Sequence, residues 1–247
     1  MTIGAIYYTD FHVDPKIMQV CQEQILRGFN GEIVSVSLNA PMDFGRNIVH
    51  EDPMGRSYPA MVRQIITGLE ALSTDYVYFL EHDVLYSASH FDFTPPTDDV
   101  YYYNVHNWRW LYPQDYLITY NELTSLSGMC CSRELALRHY QLRWKRIDEF
   151  ELYAIRSREP RWARKLGYEP GTKGRRRGGI TDEDHVKWYS ALPNIDIRHG
   201  QTFSAPKVLQ KHFHHPPTDW RCAGMDEITC WDLRGMFQIN KKDKNNV

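Results

Sequence analysis

The chain has 247 residues, of which 42% are hydrophobic and 24% are charged, and its formal net charge is −2. This length fits one large domain, or one domain with an appendage, and the composition is that of a folded, water-soluble protein. The near-neutral charge excludes a protein that holds polyanions through its overall charge. No apolar run approaches the roughly 20 residues of a membrane-spanning helix.

Cysteine usage and the first residues indicate where the protein works. The five cysteines are odd in number, include the adjacent pair Cys130-Cys131 and form no C-x-x-C motif. This pattern suits a reducing compartment better than a disulfide framework. The first residues lack the basic stretch and long apolar stretch of a signal peptide. We therefore expect a cytoplasmic protein.

The first third of the chain alternates predicted strands and helices. Residues 3–8 are predicted to form a strand, residues 14–27 a helix that starts at Asp14-Pro15, and residues 32–38 a second strand. A polar loop over residues 39–59 follows. This alternation predicts a parallel sheet with right-handed crossovers.

A second helix leads into an apolar strand with an acidic end. Residues 57–72 carry apolar side chains at the spacing of one helical face, with Ser57 as a candidate N-cap. Residues 76–80 are aromatic and β-rich, which predicts a buried strand. This strand ends directly in Glu81-His82-Asp83.

Two carboxylates at the end of a buried strand are costly unless a partner compensates them. Glu81 and Asp83 are two residues apart, so in an extended backbone they face the same side and can share one divalent cation. The alternative is a strand end with two solvated acids. Ligands of open α/β sheets bind at the carboxyl ends of the strands, where these residues are expected to lie.

The segment QIITGLEALSTDYVYFLEHDVLY, residues 64–86, resembles the GT-A glycosyltransferases, in particular the family-2-like enzymes. In those enzymes a helix leads into a strand that ends in an Asp-x-Asp motif, which holds Mn²⁺ or Mg²⁺ against the diphosphate of a nucleotide-sugar. Glu81 and Asp83 stand on the two acidic positions. Glutamate in the first position leaves open whether Glu81 binds the metal directly, through water, or binds the ribose.

The resemblance implies an α/β fold, a GT-A-like nucleotide-binding Rossmann-type sandwich whose central, mostly parallel sheet is flanked by helices. It covers residues 1–215 by layout, and residues 216–247 would be a C-terminal extension packed on the same domain. It also implies that Tyr8, Thr9 and Asp10 lie near the base and ribose of the donor, with His82 beside them. Asp10 could equally cap the segment that follows it.

Arginines and tryptophans supply further candidates for binding. Arg46 and Arg63 are candidates for contacts to the pyrophosphate, because a guanidinium matches phosphate geometry; solvated surface charge is the alternative. Trp108 and Trp110 follow a strand predicted over residues 100–105 and could stack on a sugar or acceptor, or pack against the domain. The resemblance also implies a small-residue turn beside the donor sugar, which residues 127–129 match in kind.

A basic segment and an acidic segment follow one another. Residues 156–177 hold nine Arg or Lys against two Glu. The glycine-rich loop with Arg175 and Arg176 is interpreted as a lid over the diphosphate, a contact to a polyanionic acceptor such as nucleic acid, or a solvated surface. Residues 181–192 are predicted to form a helix. By resemblance, Asp182, Glu183 and Asp184 at its start would include the general base that acts on the acceptor hydroxyl; the alternative is acids that favour the helix dipole.

Histidines near the end of the chain complete the predicted metal site. Several GT-A enzymes use a late histidine as a third metal ligand, and His212 and His214 are the candidates, with His214 preferred. A structural zinc site with Cys222 and Cys230 is the rival interpretation, which the absence of C-x-x-C spacing weakens.

The prediction from the sequence is a soluble, Mn²⁺- or Mg²⁺-dependent glycosyltransferase (EC 2.4 class) that takes a nucleotide-sugar, by default a UDP-sugar, and an unidentified acceptor. A nucleotidyltransferase is one alternative, but the usual Gly-rich basic loop after the first strand is missing. A non-enzymatic nucleic-acid-binding module is another. A transferase that glycosylates modified bases in DNA is a hybrid hypothesis, which the basic loop motivates.

Overall fold

The computed structural model describes residues 1–121, 123–149, 169–172, 185–202 and 207–240. The helices are α1 (Pro15–Gly28), α2 (Tyr58–Ala71), α3 (Arg133–Glu149) and α4 (Leu233–Phe237). The strands are β1 (Ile3–Thr9), β2 (Ile33–Leu38), β3 (Arg46–His50), β4 (Tyr76–Glu81), β5 (Val84–Leu85), β6 (Tyr101–Asn104), β7 (Asn107–Leu111), β8 (Leu117–Thr119), β9 (Met129–Ser132), β10 (His185–Trp188), β11 (Asn194–Arg198) and β12 (Arg221–Ala223).

The larger sheet has the strand order β10-β6-β9-β4-β1-β2-β3. Strand β1 runs parallel to both β2 and β4, β3 is parallel to β2, and β10 is parallel to β6. Only β9 runs antiparallel to its neighbours β4 and β6 among the described strands of this sheet. The predicted α/β fold with a central, mostly parallel sheet is therefore confirmed.

The smaller sheet has the order β12-β8-β7-β11-β5 and joins the larger one directly. The chain leaves the larger sheet at the end of β4 and enters the smaller one at β5, with only His82 and Asp83 between them. Strand β11 pairs parallel to β7 and antiparallel to β5. The carboxyl end of β11 is thereby brought to the carboxyl edge of β4.

The helices cover the sheets through the faces that their apolar residues define. Helix α2 begins at its N-cap Ser57, whose Oγ accepts a hydrogen bond from the Ala60 amide, and it buries Ile65 and Leu69 against strands β1, β2 and β4. Helix α1 buries Ile17 in the core beside the smaller sheet and Ile25 beside the larger one. Burial of this apolar surface is the main force that holds the layers together.

The structure bears on the predicted helix over residues 181–192 and on the predicted C-terminal extension. The helix predicted over residues 181–192 is wrong from residue 185 onward, because β10 pairs with β6 and Trp188 stacks on Phe93. The residues after 216 pack against the rest of the chain: β12 pairs with β8, and Phe237 contacts the ring of Trp110. None of the helices in the described ranges is long and apolar enough to cross a membrane.

Candidate metal centre and its surroundings

Three strand ends meet where the two sheets join. Strands β1, β4 and β11 end there, and each delivers polar side chains to the same edge. Among the described residues, one group of side chains could hold a metal ion: His82, Asp83 and His199, whose ligand atoms all lie within 4.8 Å of one another. Asp83 and His199 are buried, and His82 is partly buried.

The donor atoms of this group fit a divalent transition metal. His199 Nε2 is buried and forms no hydrogen bond of good geometry; it lies 3.4 Å from Asp83 Oδ2. His82 Nδ1 lies 2.7 Å from Thr9 Oγ1, a contact that can orient the ring and leave Nε2 for a metal. Two imidazoles and a carboxylate suit Mn²⁺, Fe²⁺ or Zn²⁺ better than Mg²⁺, which prefers oxygen ligands.

Asp83 is ready to act as an anionic ligand. Burial alone would raise the pKa of its carboxyl, but His199, His82 and Arg198 outweigh burial and hold the pKa below its ordinary value. The backbone carbonyl of Asp83 also accepts a hydrogen bond of 2.8 Å from the Ile197 amide. The position of Asp83 is therefore tied to β11, the strand that carries His199 at its end.

Glu81 lies outside the metal group. Its Oε1 accepts a hydrogen bond of 2.7 Å from the Tyr8 hydroxyl, and its amide donates to Tyr86 Oη at 3.0 Å. Burial, together with the nearby charge of Asp83, raises the pKa of Glu81 to about 8. The expectation that Glu81 and Asp83 face the same side assumed an extended backbone, but β4 ends at Glu81 and residues 82–83 form a turn.

A fixed cation stands beside this group. The Asp196 carboxylate pairs with Arg198 Nη1 at 3.2 Å and with Arg109 Nε at 3.2 Å. Burial alone would lower the pKa of Arg198, but Asp196, Asp83 and Glu81 raise it above its ordinary value. Arg198 therefore stays positively charged next to a cluster of acids, where it can balance an anionic ligand.

Asp10 and Arg56 form an ion pair at the same edge. Arg56 Nε lies 2.6 Å from Asp10 Oδ2, and Arg56 also donates to the carbonyl of Gln201 at 2.9 Å. Asp10 Oδ1 accepts a hydrogen bond of 2.9 Å from the His12 amide, so this residue also holds the turn after β1. The ion pair thus links the end of β1 to the turn that follows β11.

The arginines predicted to bind pyrophosphate lie elsewhere. Arg46 begins β3 at the opposite edge of the sheet, where it pairs with Glu32 at 2.8 Å. Arg63 lies in α2 with its guanidinium 4.2 Å from the ring centroid of Trp144. Neither of these contacts lies at the carboxyl edge of the sheet, where the donor was expected to bind.

The structure also changes the interpretation of the predicted tryptophan and histidine candidates. Trp110 is completely buried and packs edge-on against Tyr112 and Phe237, so it cannot stack on an acceptor. Trp108 is partly buried, and the Arg221 guanidinium lies 5.8 Å from its ring centroid. His212 and His214 are exposed and do not belong to the group of described residues that could hold a metal, whose third member is His199.

The acidic and basic segments of the sequence prediction lie outside the described residues. These are Asp182, Glu183 and Asp184, the candidates for the general base, and Arg175 and Arg176 of the basic loop. Their roles remain predictions from the sequence.

Sequence reasoning missed His199 and Arg56. His199 directly follows β11, just as His82 and Asp83 directly follow β4. The rule that polar residues at strand ends form the site would have selected it. Arg56 lies in a loop before α2 and has no comparable signal in the sequence.

An open cavity of about 480 Å³ lies beside His199. The start of α1, the turn after β7 and the turn after β11 form its walls. It is an open depression of the surface and not an enclosed pocket.

Comparisons with known proteins find only distant similarity. No protein-family model and no curated protein matches the chain. Among solved structures, it is similar to Staphylococcus aureus TarS residues 1–349 in complex with UDP-GlcNAc, with 12% identity over 86% of this chain and 63% of that one and a TM-score of 0.44. It is also similar to manganese-bound Rv0371c of Mycobacterium tuberculosis, with 10% identity over 81% and 94% of the two chains and a TM-score of 0.43.

A third similar structure is a glycosyltransferase involved in the glycosylation of the major capsid of PBCV-1, with 12% identity over 76% of this chain and 82% of that one and a TM-score of 0.40. Similarity this distant identifies neither a ligand nor a reaction for the chain. Function therefore has to be inferred from the residues of the site itself.

Proposed function

We propose that this chain is a metal-dependent glycosyltransferase, which moves a sugar from a nucleotide-sugar to an acceptor hydroxyl. The observation that carries the proposal is the group of His82, Asp83 and His199 at the carboxyl edge of a parallel α/β sheet. Nucleotides bind at that edge in open α/β sheets. The likeness of residues 64–86 to the GT-A segment favours glycosyl transfer over other reactions of nucleotide diphosphates.

His82, Asp83 and His199 would hold the metal, and their mixed nitrogen and oxygen donors are compatible with Mn²⁺, one of the two ions that the resemblance implies. When bound, such a cation neutralises negative charge on the leaving nucleoside diphosphate. Arg198 adds a second, permanent positive charge beside the same edge. The diphosphate would therefore meet positive charge from the protein as well as from the metal.

Residues at the ends of β1 and β4 would position the donor. Asp10 and Thr9 lie next to His82, where a carboxylate can accept hydrogen bonds from ribose or base. Burial and the charge of Asp83 raise the pKa of Glu81 to about 8 in the metal-free chain, so its carboxyl takes up a proton more readily than an ordinary glutamate. A protonated Glu81 can donate a hydrogen bond to a ribose or phosphate oxygen. UDP is the default nucleotide, as the resemblance implies.

The acceptor hydroxyl needs a base in an inverting reaction. Asp184, with Glu183 and Asp182 beside it, remains our candidate from the sequence. Replacing Asp184 by Asn should abolish transfer and leave nucleotide binding unchanged, because a base acts only on the acceptor.

Titration calorimetry of UDP, with and without Mn²⁺, tests the donor site. We expect Mn²⁺-dependent binding in the unaltered chain. His199→Ala and Asp83→Asn should weaken it by at least about tenfold, equivalent to about 1.4 kcal/mol. GDP measured in parallel identifies the base.

His214→Ala is the matched control for the metal ligand. This histidine is exposed and lies outside the metal group, so the variant should bind UDP and Mn²⁺ as the unaltered chain does. Binding that needs no metal, or that survives Asp83→Asn unchanged, would contradict the proposal.

A further inference from the structure

The cavity beside His199 is distinct from the residues proposed to hold the donor. Val13 and Asp14, which directly precede α1, line one wall, and the turn after β7 contributes Tyr112 and Pro113. Tyr8, Thr9 and Asp10 are absent from the described residues that line it. His199 belongs to both the cavity and the metal group. A ligand in the cavity therefore lies beside His199 without occupying the predicted nucleoside site.

The walls of the cavity combine apolar surface with few polar groups. Val13 and Pro113 are apolar, and Tyr112 presents an aromatic ring that is only partly buried. Such a surface suits the C–H face of a sugar ring, since aromatic side chains offer an apolar body with a polar rim. The volume of about 480 Å³ lies within the range of small-ligand sites.

Charge selects among ligands of this size. Asp14 brings a carboxylate to the cavity, with Oδ1 accepting a hydrogen bond of 2.8 Å from the Lys16 amide. The Lys16 ammonium is directed away, to the carbonyl of Phe237 at 2.9 Å. A carboxylate can accept a hydrogen bond from a sugar hydroxyl and repels an anion. The local charge thus favours a neutral hydroxylated ligand over a phosphorylated or acidic one.

We infer that this cavity binds a neutral sugar ring of the acceptor. The inference rests on the proposed function, because it assigns the second substrate of the same reaction. It places the acceptor against His199, between the start of α1 and the turn after β7. It also predicts that polyanions such as nucleic acid do not enter the cavity.

Gly200 offers a way to fill the cavity without disturbing the backbone. A Cβ atom added there would meet nothing within 4 Å, and the φ angle lies outside the left-handed region that favours glycine. Gly200→Ala should therefore leave the fold and the cavity almost unchanged. Gly200→Trp places a bulky side chain at the cavity wall and should block it. The two variants form a matched pair at one position.

The test is saturation-transfer NMR with the methyl glycosides of glucose, galactose, mannose and N-acetylglucosamine, and with methyl glucuronide as the anionic probe. We expect at least one neutral glycoside to bind the unaltered chain and the Gly200→Ala variant. Gly200→Trp should weaken that binding by at least about tenfold. Asp14→Asn, which preserves the N-cap of α1, should reduce the preference for the neutral glycoside over the glucuronide.

Mn²⁺-dependent UDP binding, measured on the same variants, separates this inference from the proposed function. Retained UDP binding with lost glycoside binding in Gly200→Trp supports the acceptor assignment. Glycoside binding that is equal in Gly200→Trp and Gly200→Ala overturns it, and so does an absence of binding by every neutral glycoside. If Gly200→Trp loses UDP binding and Gly200→Ala keeps it, the cavity belongs to the donor, and the acceptor assignment is overturned. Failure of UDP to bind the unaltered chain would instead count against the proposed function.

Discussion

His90 is a completely buried imidazole whose surroundings oppose protonation. Its Nδ1 lies 3.0 Å from Asn104 Nδ2 and 3.1 Å from Asn194 Nδ2, so two amide groups can donate to it. The ring stacks on Trp188, and Nε2 is buried without a hydrogen-bond partner. Burial lowers the pKa of His90 to about 3. The imidazole is therefore neutral in the folded chain across the physiological range.

This burial predicts acid sensitivity. The unfolded chain binds a proton at His90 below a pH of about 6.5, whereas the folded chain does so only near pH 3. Stability from His90 is thus fully present above pH 6.5 and falls by about 1.4 kcal/mol per pH unit below it. Urea unfolding of the unaltered chain and of His90→Gln between pH 7 and pH 4 measures the effect. The variant should lose free energy of unfolding less steeply, and an equal slope in both would contradict the assignment.

Gly128 lets two elements of the larger sheet approach closely. It ends the short 3₁₀ turn Leu126–Gly128 that precedes β9, and all three residues of the turn are buried. A Cβ atom at Gly128 would lie 2.7 Å from the backbone carbonyl oxygen of Asn104, the last residue of β6. The small residues at 127–129 thus have a packing role in the sheet, in addition to whatever role they have toward a donor sugar.

The close approach predicts that an added methyl group destabilises the fold at Gly128 but not at an open position. Gly128→Ala should lower the free energy of unfolding by about 1–3 kcal/mol, because the backbone of β6 has to move. Gly200→Ala, where the added methyl meets open space, should change it by less than about 0.5 kcal/mol. Urea unfolding of both variants under the same conditions makes the comparison. Equal stabilities would show that β6 yields without cost.

The elements that sequence predicted well are those with a local signal. Helix α2 was expected over residues 57–72 and spans Tyr58–Ala71, because its apolar spacing and its cap at Ser57 lie within the segment itself. Strand β1 was expected over residues 3–8 and spans Ile3–Thr9. The strand β10 was predicted as a helix, because its pairing with β6 depends on residues more than eighty positions away. The smaller sheet, built from such distant pairings, was not predicted for the same reason.

The whole molecule decides which residues form the candidate site. Asp83 was predicted as a metal ligand and His82 as a donor contact, because both follow a recognisable strand. His199 joins them only because β11 pairs with β5 and carries its own carboxyl end to the junction of the sheets. The later histidines His212 and His214 were preferred because the resemblance points to a late histidine, and the pairing of β11 with β5 has no signal in the local sequence. Tertiary pairing, not composition, brings the third residue into the candidate group.

The junction makes metal binding a property of the whole fold. His82 and Asp83 lie between β4 and β5, and His199 ends β11, so a bound ion would connect both sheets. An ion that binds only the folded chain stabilises it by about 2.7 kcal/mol at a concentration one hundred times its Kd. For a chain of this size, that corresponds to a rise in Tm of roughly 5–10 °C.

We therefore expect Mn²⁺ to raise the Tm of the unaltered chain without any nucleotide, and EDTA to reverse the rise. His199→Ala should lose most of the rise, since it removes the ligand that the smaller sheet contributes. His212→Ala and His214→Ala should keep it, because both residues are exposed and lie outside the metal group. Differential scanning fluorimetry of the four proteins measures these shifts. If the rise disappears in His214→Ala and persists in His199→Ala, the metal lies at the later histidines, and the junction of the sheets has another role.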